Sequence, residues 1–288
     1  MLIPLSALRR ALLEMLQSTG MKNKSAETIG GVFIDGILRG HANVALGALS
    51  ILIDQLQNGY ANPVAEPILV KESTGAAVID SRNGPGQLAG VLAADTAVTK
   101  AKHAGICTVG VMNGVSSYRP GYYAERIADA GMTGLVFSGT TPIGEFLTDS
   151  TALSQTSLAM AVPTGEEQAI VHELTGASLK GHKGFGLSLA AELLSHISSL
   201  GRSMGSAVIA IDPAAFVGSD EFRRRVSAYA GEVKASRRIS NAERIEMPGD
   251  AELESKRQIL DLGKAAIESA AWNTFENLAD RMKIKIIE

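Results

Sequence analysis

Cysteine is almost absent from this sequence: Cys107 is the one example in 288 residues. No intrachain disulfide is possible, so nothing covalent staples the fold. Aromatic residues are scarce as well, at 5%. No uninterrupted apolar stretch reaches the roughly 18 residues a membrane span needs. The apolar N-terminal stretch is broken by Arg9, Arg10 and Glu14, which a secretory h-region avoids. Neither sign of charge dominates, since 27 Lys and Arg stand against 30 Asp and Glu for a net charge of −3. Such a balance leaves no electrostatic footprint for nucleic acid or an acidic membrane. The expectation is a soluble cytoplasmic protein with neither as a partner. No Cys/His cluster has metal-ligand spacing, so no metal is expected. Gly-x-Ser-x-Gly, Walker A and Gly-x-Gly-x-x-Gly are all missing.

What is present is an ordinary globular balance: 45% apolar, 20% charged, and 30 glycines, which excludes disorder. Residues 1–288 read as one compact unit. A helical segment fills 1–60, an α/β core 68–213 and a helical segment 219–288. Leu5, Leu8, Leu12, Leu13 and Leu16 repeat at helical spacing. Ser25 is placed to cap a second helix that runs to Arg39, and a third covers about Ala45 to Gln57. Strands are expected at Ile68–Glu72, Ala76–Asp80, Ile106–Met112, Leu135–Ser138, Leu158–Val162, Ala169–Leu174 and Ala207–Ile211. Helices are expected at Gln87–His103, Tyr122–Ala130, Phe185–Ser198, Glu221–Lys234, Glu252–Leu262 and Ala270–Met282. Ser, Thr and Gly crowd 149–157 and 173–181, which read as loops. The order implies an α/β fold with a layered mixed sheet and flanking helices.

Several residues invite a chemical reading. Gly181-His182-Lys183-Gly184-Phe185-Gly186 precedes an apolar helix. Glycines admit a ligand to the backbone, and a helix mouth offers free N–H groups. With Lys183 this suits an anion or phosphate, or else a tight helix entry with a solvated lysine. Arg39-Gly40-His41 closes a helix, where both cations suit the helix end as caps. The loop from Asn113 to Gly121 follows a buried strand and offers Ser116, Ser117, Tyr118 and Arg119; strand carboxyl ends are where α/β sheets bind ligands. His172 reads as a core or edge histidine. Cys107 reads as a buried small hydrophobe, and Glu221–Val226 as a solvated charged face.

Together these motifs resemble the malate/L-lactate/ureidoglycolate dehydrogenase family, which lacks a conventional Rossmann fingerprint. The resemblance is carried by Arg39-Gly40-His41-Ala42, Asn83-Gly84-Pro85-Gly86-Gln87, Gly121-Tyr122-Tyr123-Ala124-Glu125-Arg126, Gly181–Leu187 and Met247-Pro248-Gly249-Asp250. It implies an L-sulfolactate dehydrogenase-like fold, a homodimer, and hydride transfer between NAD or NADP and a small 2-oxo or 2-hydroxy acid or cyclic imino acid. Lys183, with Gly181 and Gly184, would meet the dinucleotide, and Glu173 falls in the family's cofactor segment. The proton-transferring histidine of the family is replaced by Ser116, and its Ser-His pair by Asn43-Val44. Several dozen residues that usually precede Gly-His-Lys-Gly are missing. The catalytic candidates are therefore His41, Ser116, Tyr118 and His182. Three readings follow. The favoured one is an NAD(P)-dependent oxidoreductase with a non-standard proton donor. The others are a cofactor-free hydrolase, lyase or isomerase on a small carboxylate, and a non-catalytic relative.

Overall fold

The structure is a computed structural model. It describes residues 1–142, 154–166, 168–174, 181–197, 205–237 and 244–286. The chain begins with a short strand, β1 (Leu2–Pro4), and three helices: α1 (Leu5–Ser18), α2 (Asn23–Leu38) and α3 (Ala42–Gln57). A hairpin, β2 (Ile68–Glu72) and β3 (Ala76–Asp80), leads into α4 (Gly86–Ala104) and β4 (Ile106–Met112). Then come α5 (Pro120–Asp129), β5 (Thr133–Pro142), β6 (Ser154–Val162), β7 (Ile170–Leu174) and α6 (Gly181–Ser195). Strand β8 (Ser206–Ile211), α7 (Ser219–Ala235), α8 (Asp250–Leu262), β9 (Lys264–Ala266) and α9 (Ser269–Arg281) complete the order.

Seven strands form one mixed sheet in the order β2-β3-β4-β8-β5-β6-β7. Only β3 and β4 run parallel; the other neighbours are antiparallel. Alternation puts Ile79, Val109, Val136, Ala161 and Ala210 on one face. There they meet Ala89, Ala93 and Ala97 of α4 and Tyr123 and Ile127 of α5. The alanines let α4 lie close to the sheet, and Cys107 is fully buried among them, as a small hydrophobe should be. A second core joins α1–α3 to α9, with Leu8, Leu12, Phe33, Ile37, Leu49 and Phe275 at its centre.

Several boundaries differ from those the sequence suggests. Ala26 N–H already bonds to Lys22 O, so Ser25 lies inside α2 and caps nothing. Residues Ser154–Ser157 are strand, not loop, while 149–153 lie outside the described residues. Glu173 and Leu174 belong to β7, and Gly181 opens α6. The Gly-His-Lys-Gly run is thus the first turn of that helix rather than a loop before it. The pairing of β1 with β9, which closes the two chain ends on each other, has no sequence signal in three-residue strands. The charged run on α7 is solvated, with Glu221 bonded to Arg224 and Arg225.

Candidate active site

Two turns build the loop from Asn113 to Arg119. The N–H of Asn83 donates to Asn113 O at 2.7 Å, and that of Val115 to Gly84 O at 3.2 Å. Gly86 is required here, because a Cβ would overlap the Val115 carbonyl. Deeper down, Ser117 Oγ lies 3.2 Å from Ser138 Oγ, which also accepts from Ser206 Oγ at 3.1 Å. Tyr123 Oη donates to Ser117 O at 2.8 Å. The Asn-Gly-Pro-Gly motif and Tyr123 are scaffolding that holds this loop over the sheet.

So held, the loop carries strain. Asn113 and Tyr118 have φ of 56° and 69°, in the left-handed region that non-glycine residues rarely adopt. Tyr118 stacks on Phe33, ring centroids 4.9 Å apart, and its hydroxyl fills the space a side chain on Gly36 would need. Burial pushes its phenol well above the ordinary tyrosine range, so it stays protonated at neutral pH. Ser116 is half-buried, and its Oγ accepts the Tyr118 N–H at 3.2 Å. That hydroxyl serves the turn.

Beside Tyr118 runs a chain of alternating charges: Glu125, Arg39, Asp35, Arg119, Glu173. Arg39 donates through Nη2 to Glu125 and through Nε to Asp35 at 3.3 Å. Arg119 donates through Nη1 to Asp35 and through Nε to Glu173 at 3.1 Å. The two arginine side chains are only 1% and 5% exposed. Charges so far from water hold only when each is paired. Burial opposes the Arg119 charge, but Glu173, Asp35 and Glu125 outweigh it and raise its pKa. Burial also raises Glu173; Arg119, the Gly121 N–H and nearby His41 pull it partly back. Glu125 is raised for the same first reason, against Arg39.

This geometry corrects the reading of Arg39 as a helix cap: its side chain crosses to α5. His41 is exposed, its N–H bonded to Gly36 O, and it is one of the minor electrostatic causes that hold the Glu173 pKa back. Glu173 and Tyr118 thus stand beside Arg119, while among the described residues no hydrogen bond or ion pair joins the His41 side chain to them. His182 and Lys183 are both exposed in the first turn of α6. Among the described residues, no hydrogen bond or ion pair joins them to that network. A Cβ on Gly186 would meet nothing within 4 Å. Among the described residues the Lys183 ammonium has no hydrogen bond or ion pair, and in the first turn of α6 it suits a phosphate group, so it fits a dinucleotide's charge. His172 is exposed on the edge strand β7. Asp35 was not singled out from the sequence and Glu125 only as part of the Gly121–Arg126 run, although Asp35 stands four residues before Arg39, a helical pairing distance. Among the described residues no three His, Cys, Asp or Glu cluster to hold a metal. No helix among them is long and apolar enough to cross a membrane.

The chain as a whole is similar to several known proteins. The sequence profile described as malate/L-lactate dehydrogenase matches residues 3–175 and 174–276. L-Sulfolactate dehydrogenase of Methanocaldococcus jannaschii is 26% identical over 337 aligned positions, covering 96% of each chain. Ureidoglycolate dehydrogenase (NAD(+)) of Escherichia coli O157:H7 is 23% identical, covering 90% of this chain and 93% of its own. Malate dehydrogenase from Pyrococcus horikoshii superposes with a TM-score of 0.91 at 23% identity, covering 99% of this chain and 96% of that one. The fold is therefore the mixed α/β fold that the resemblance implies.

Proposed function

The chain belongs to the malate/L-lactate dehydrogenase family, and from that premise we propose that it is an NAD(P)-dependent oxidoreductase with a non-standard proton donor. Its substrate class is a small 2-oxo or 2-hydroxy acid or a cyclic imino acid. The observation that carries this reading is the buried Arg119, joined to Glu173 and next in the chain to the Tyr118 phenol that burial keeps protonated. The relatives' names support the redox chemistry.

When bound, the nicotinamide supplies or accepts a hydride. Lys183, with the backbone of Gly181 and Gly184, would hold a phosphate of the dinucleotide. Tyr118, kept protonated by burial, would give a proton to the nascent alkoxide or amine; His41 and His182 are the alternative donors. Glu173, tied to Arg119 and Gly121, would orient the groups beside it. Ser116 is bound to its own turn and would position Tyr118 rather than react. The protein would act as a cytoplasmic homodimer. Support for the dimer is the exposed apolar surface at the end of α6, where Leu193 is 66% exposed, and in the turn after it, where Ile197 is 58% exposed.

One observation favours the cofactor-free alternative. The family profile matches in two pieces that meet at residues 174–175, just ahead of Lys183. The alignment with the M. jannaschii enzyme also spans 337 positions, more than the 288 residues of this chain. Titration with NADH and with NADPH separates the two. Saturable binding of either one, lost in Lys183→Gln, supports the dehydrogenase. Failure of both at millimolar concentration leaves the cofactor-free reading.

A further inference from the structure

The dipeptide Asn-Gly occurs three times in this chain, at Asn58-Gly59, Asn83-Gly84 and Asn113-Gly114. It is the asparagine sequence most open to internal attack. The backbone nitrogen of the glycine adds to the side-chain amide carbon of the asparagine, and no Cβ on the glycine stands in the way. A carbon–nitrogen bond forms, and the side-chain nitrogen leaves as ammonia, taking the glycine N–H proton with it. Water then opens the cyclic imide at one carbonyl to give aspartate, or at the other to give isoaspartate. The reaction needs no oxidant, reductant or metal. With the same dipeptide at all three places, the fold decides which of them reacts.

Two of the three are restrained. Asn83 and Asn113 have φ of 59° and 56°. In this left-handed region ψ is about +47°, which sets the following nitrogen trans to Cβ, far from the side chain it would attack. Both side chains are tied as well. Asn83 Nδ2 donates to Tyr60 O at 2.8 Å, and Asn113 Nδ2 to Asp80 Oδ1 at 3.1 Å. A carboxylate acceptor also makes the Asn113 amide carbon a poorer electrophile. The nitrogen of Gly84 is engaged, its N–H donating to Ser81 O at 2.9 Å. The two turns hold each other, since the Asn83 N–H donates to Asn113 O.

Asn58 has none of these restraints. It is the exposed residue that ends α3, with φ of −83° and ψ of 1°. Among the described residues its side chain makes no hydrogen bond. The Gly59 N–H reaches Leu56 O only at 3.4 Å, a last-turn contact at a helix end, where fraying is common.

We propose that Asn58 is a modification site, converted spontaneously to aspartate and isoaspartate in the folded protein, while the fold shields Asn83 and Asn113. The site does not depend on the redox reading. Conversion places a carboxylate at the C-terminal end of α3, where the helix dipole disfavours negative charge. It stands four residues after Asp54, which pairs with Arg281 of α9. Like charges at that spacing repel, so the modified protein is held less firmly between α3 and α9.

The test is ageing of the whole protein in mildly alkaline buffer at physiological temperature. Peptide mapping then separates asparagine, aspartate and isoaspartate at each site. In the folded protein Asn58 should convert first. Asn83 and Asn113 should lag by about tenfold or more, the factor that one further hydrogen bond to break imposes. In urea, where only the dipeptide counts, the three rates should converge. Asn58→Gln should remove the early conversion, because its longer side chain closes the ring far more slowly, and should keep Tm constant during ageing. Asn58→Asp should lower Tm from the start. The proposal is overturned if Asn83 or Asn113 converts as fast as Asn58 in the folded protein. It is equally overturned if Asn58 stays intact there while it converts in urea. An Asn58→Asp variant as stable as the wild type overturns the charge effect assigned to the end of α3.

Discussion

The carboxylate of Glu173 rests on Gly121: the Gly121 N–H donates to it, and Oε2 occupies the space where a side chain at 121 would begin. Arg119 holds the same oxygen at 3.1 Å. The first turn of α5 and the edge strand β7 are joined through one carboxylate, at a helix end whose dipole favours negative charge. Gly121→Ala should therefore destabilise, although alanine is the better helix former by about 1 kcal/mol. The overlap must push Glu173 aside, at a cost of about 1–3 kcal/mol. Urea unfolding reads the sign directly. A more stable variant would show that Glu173 is not seated there.

Glu173 also makes a prediction about pH. Its pKa is raised by burial above the usual 4.5, so the folded state holds its proton more tightly than the unfolded state. The contribution of this group to stability is complete below the unfolded pKa. It is lost as pH rises through the raised folded value. The stability of the wild type relative to Glu173→Gln should fall as pH climbs from about 4.5. Unfolding curves at several pH values, both proteins side by side, measure that difference. A constant difference, or one that grows with pH, contradicts the burial assigned to this carboxyl.

Asp35 is shared by Arg39 and Arg119. Asp35→Asn leaves two buried guanidinium groups facing a neutral amide, and removing one partner of a buried pair costs about 3–5 kcal/mol. Lys256 adds to the problem, since it too leans on Asp35. The double variant Asp35→Asn with Arg119→Met should recover part of the loss, because an apolar side chain needs no counter-charge. Denaturant midpoints of the two single variants and the double give the coupling.

Much of the fold was legible because its signals are local. The apolar run Ile106–Met112 between Gly105 and Asn113 is β4 residue for residue, and Ala76–Asp80 is β3. The loop Asn113–Gly121 was legible as a place for chemistry, and Tyr118 and Arg119 do face the charged chain. Arg39 was not legible in the same way. From sequence it sits at a helix end, where capping is the nearest use for a cation, and only the tertiary fold brings Glu125 of α5 to it. Glu173 was picked through family resemblance, yet its neighbours Arg119 and Gly121 lie some fifty residues away in the chain. The Ser/Thr-rich stretch of β6 read as a loop because those residues favour turns. Pairing to β5 overrides that preference.

Tyr118 offers the clearest test of how a proton reaches the substrate. Tyr118→Phe keeps the ring that stacks on Phe33 and removes only the hydroxyl. If that hydroxyl is the donor, kcat for reduction should fall by about 10²–10⁴, with KM and Tm little changed. Gly36→Ala attacks the same group from the other side, since its new Cβ would take the space of the Tyr118 hydroxyl. That variant should lose kcat and also stability, because a packed ring must move. The comparison separates chemistry from packing: loss in both variants, with Tm falling only in Gly36→Ala, assigns the proton to Tyr118. Full turnover in Tyr118→Phe transfers the role to a histidine, and His41→Asn, at an exposed position, then becomes the variant in which the rate must collapse.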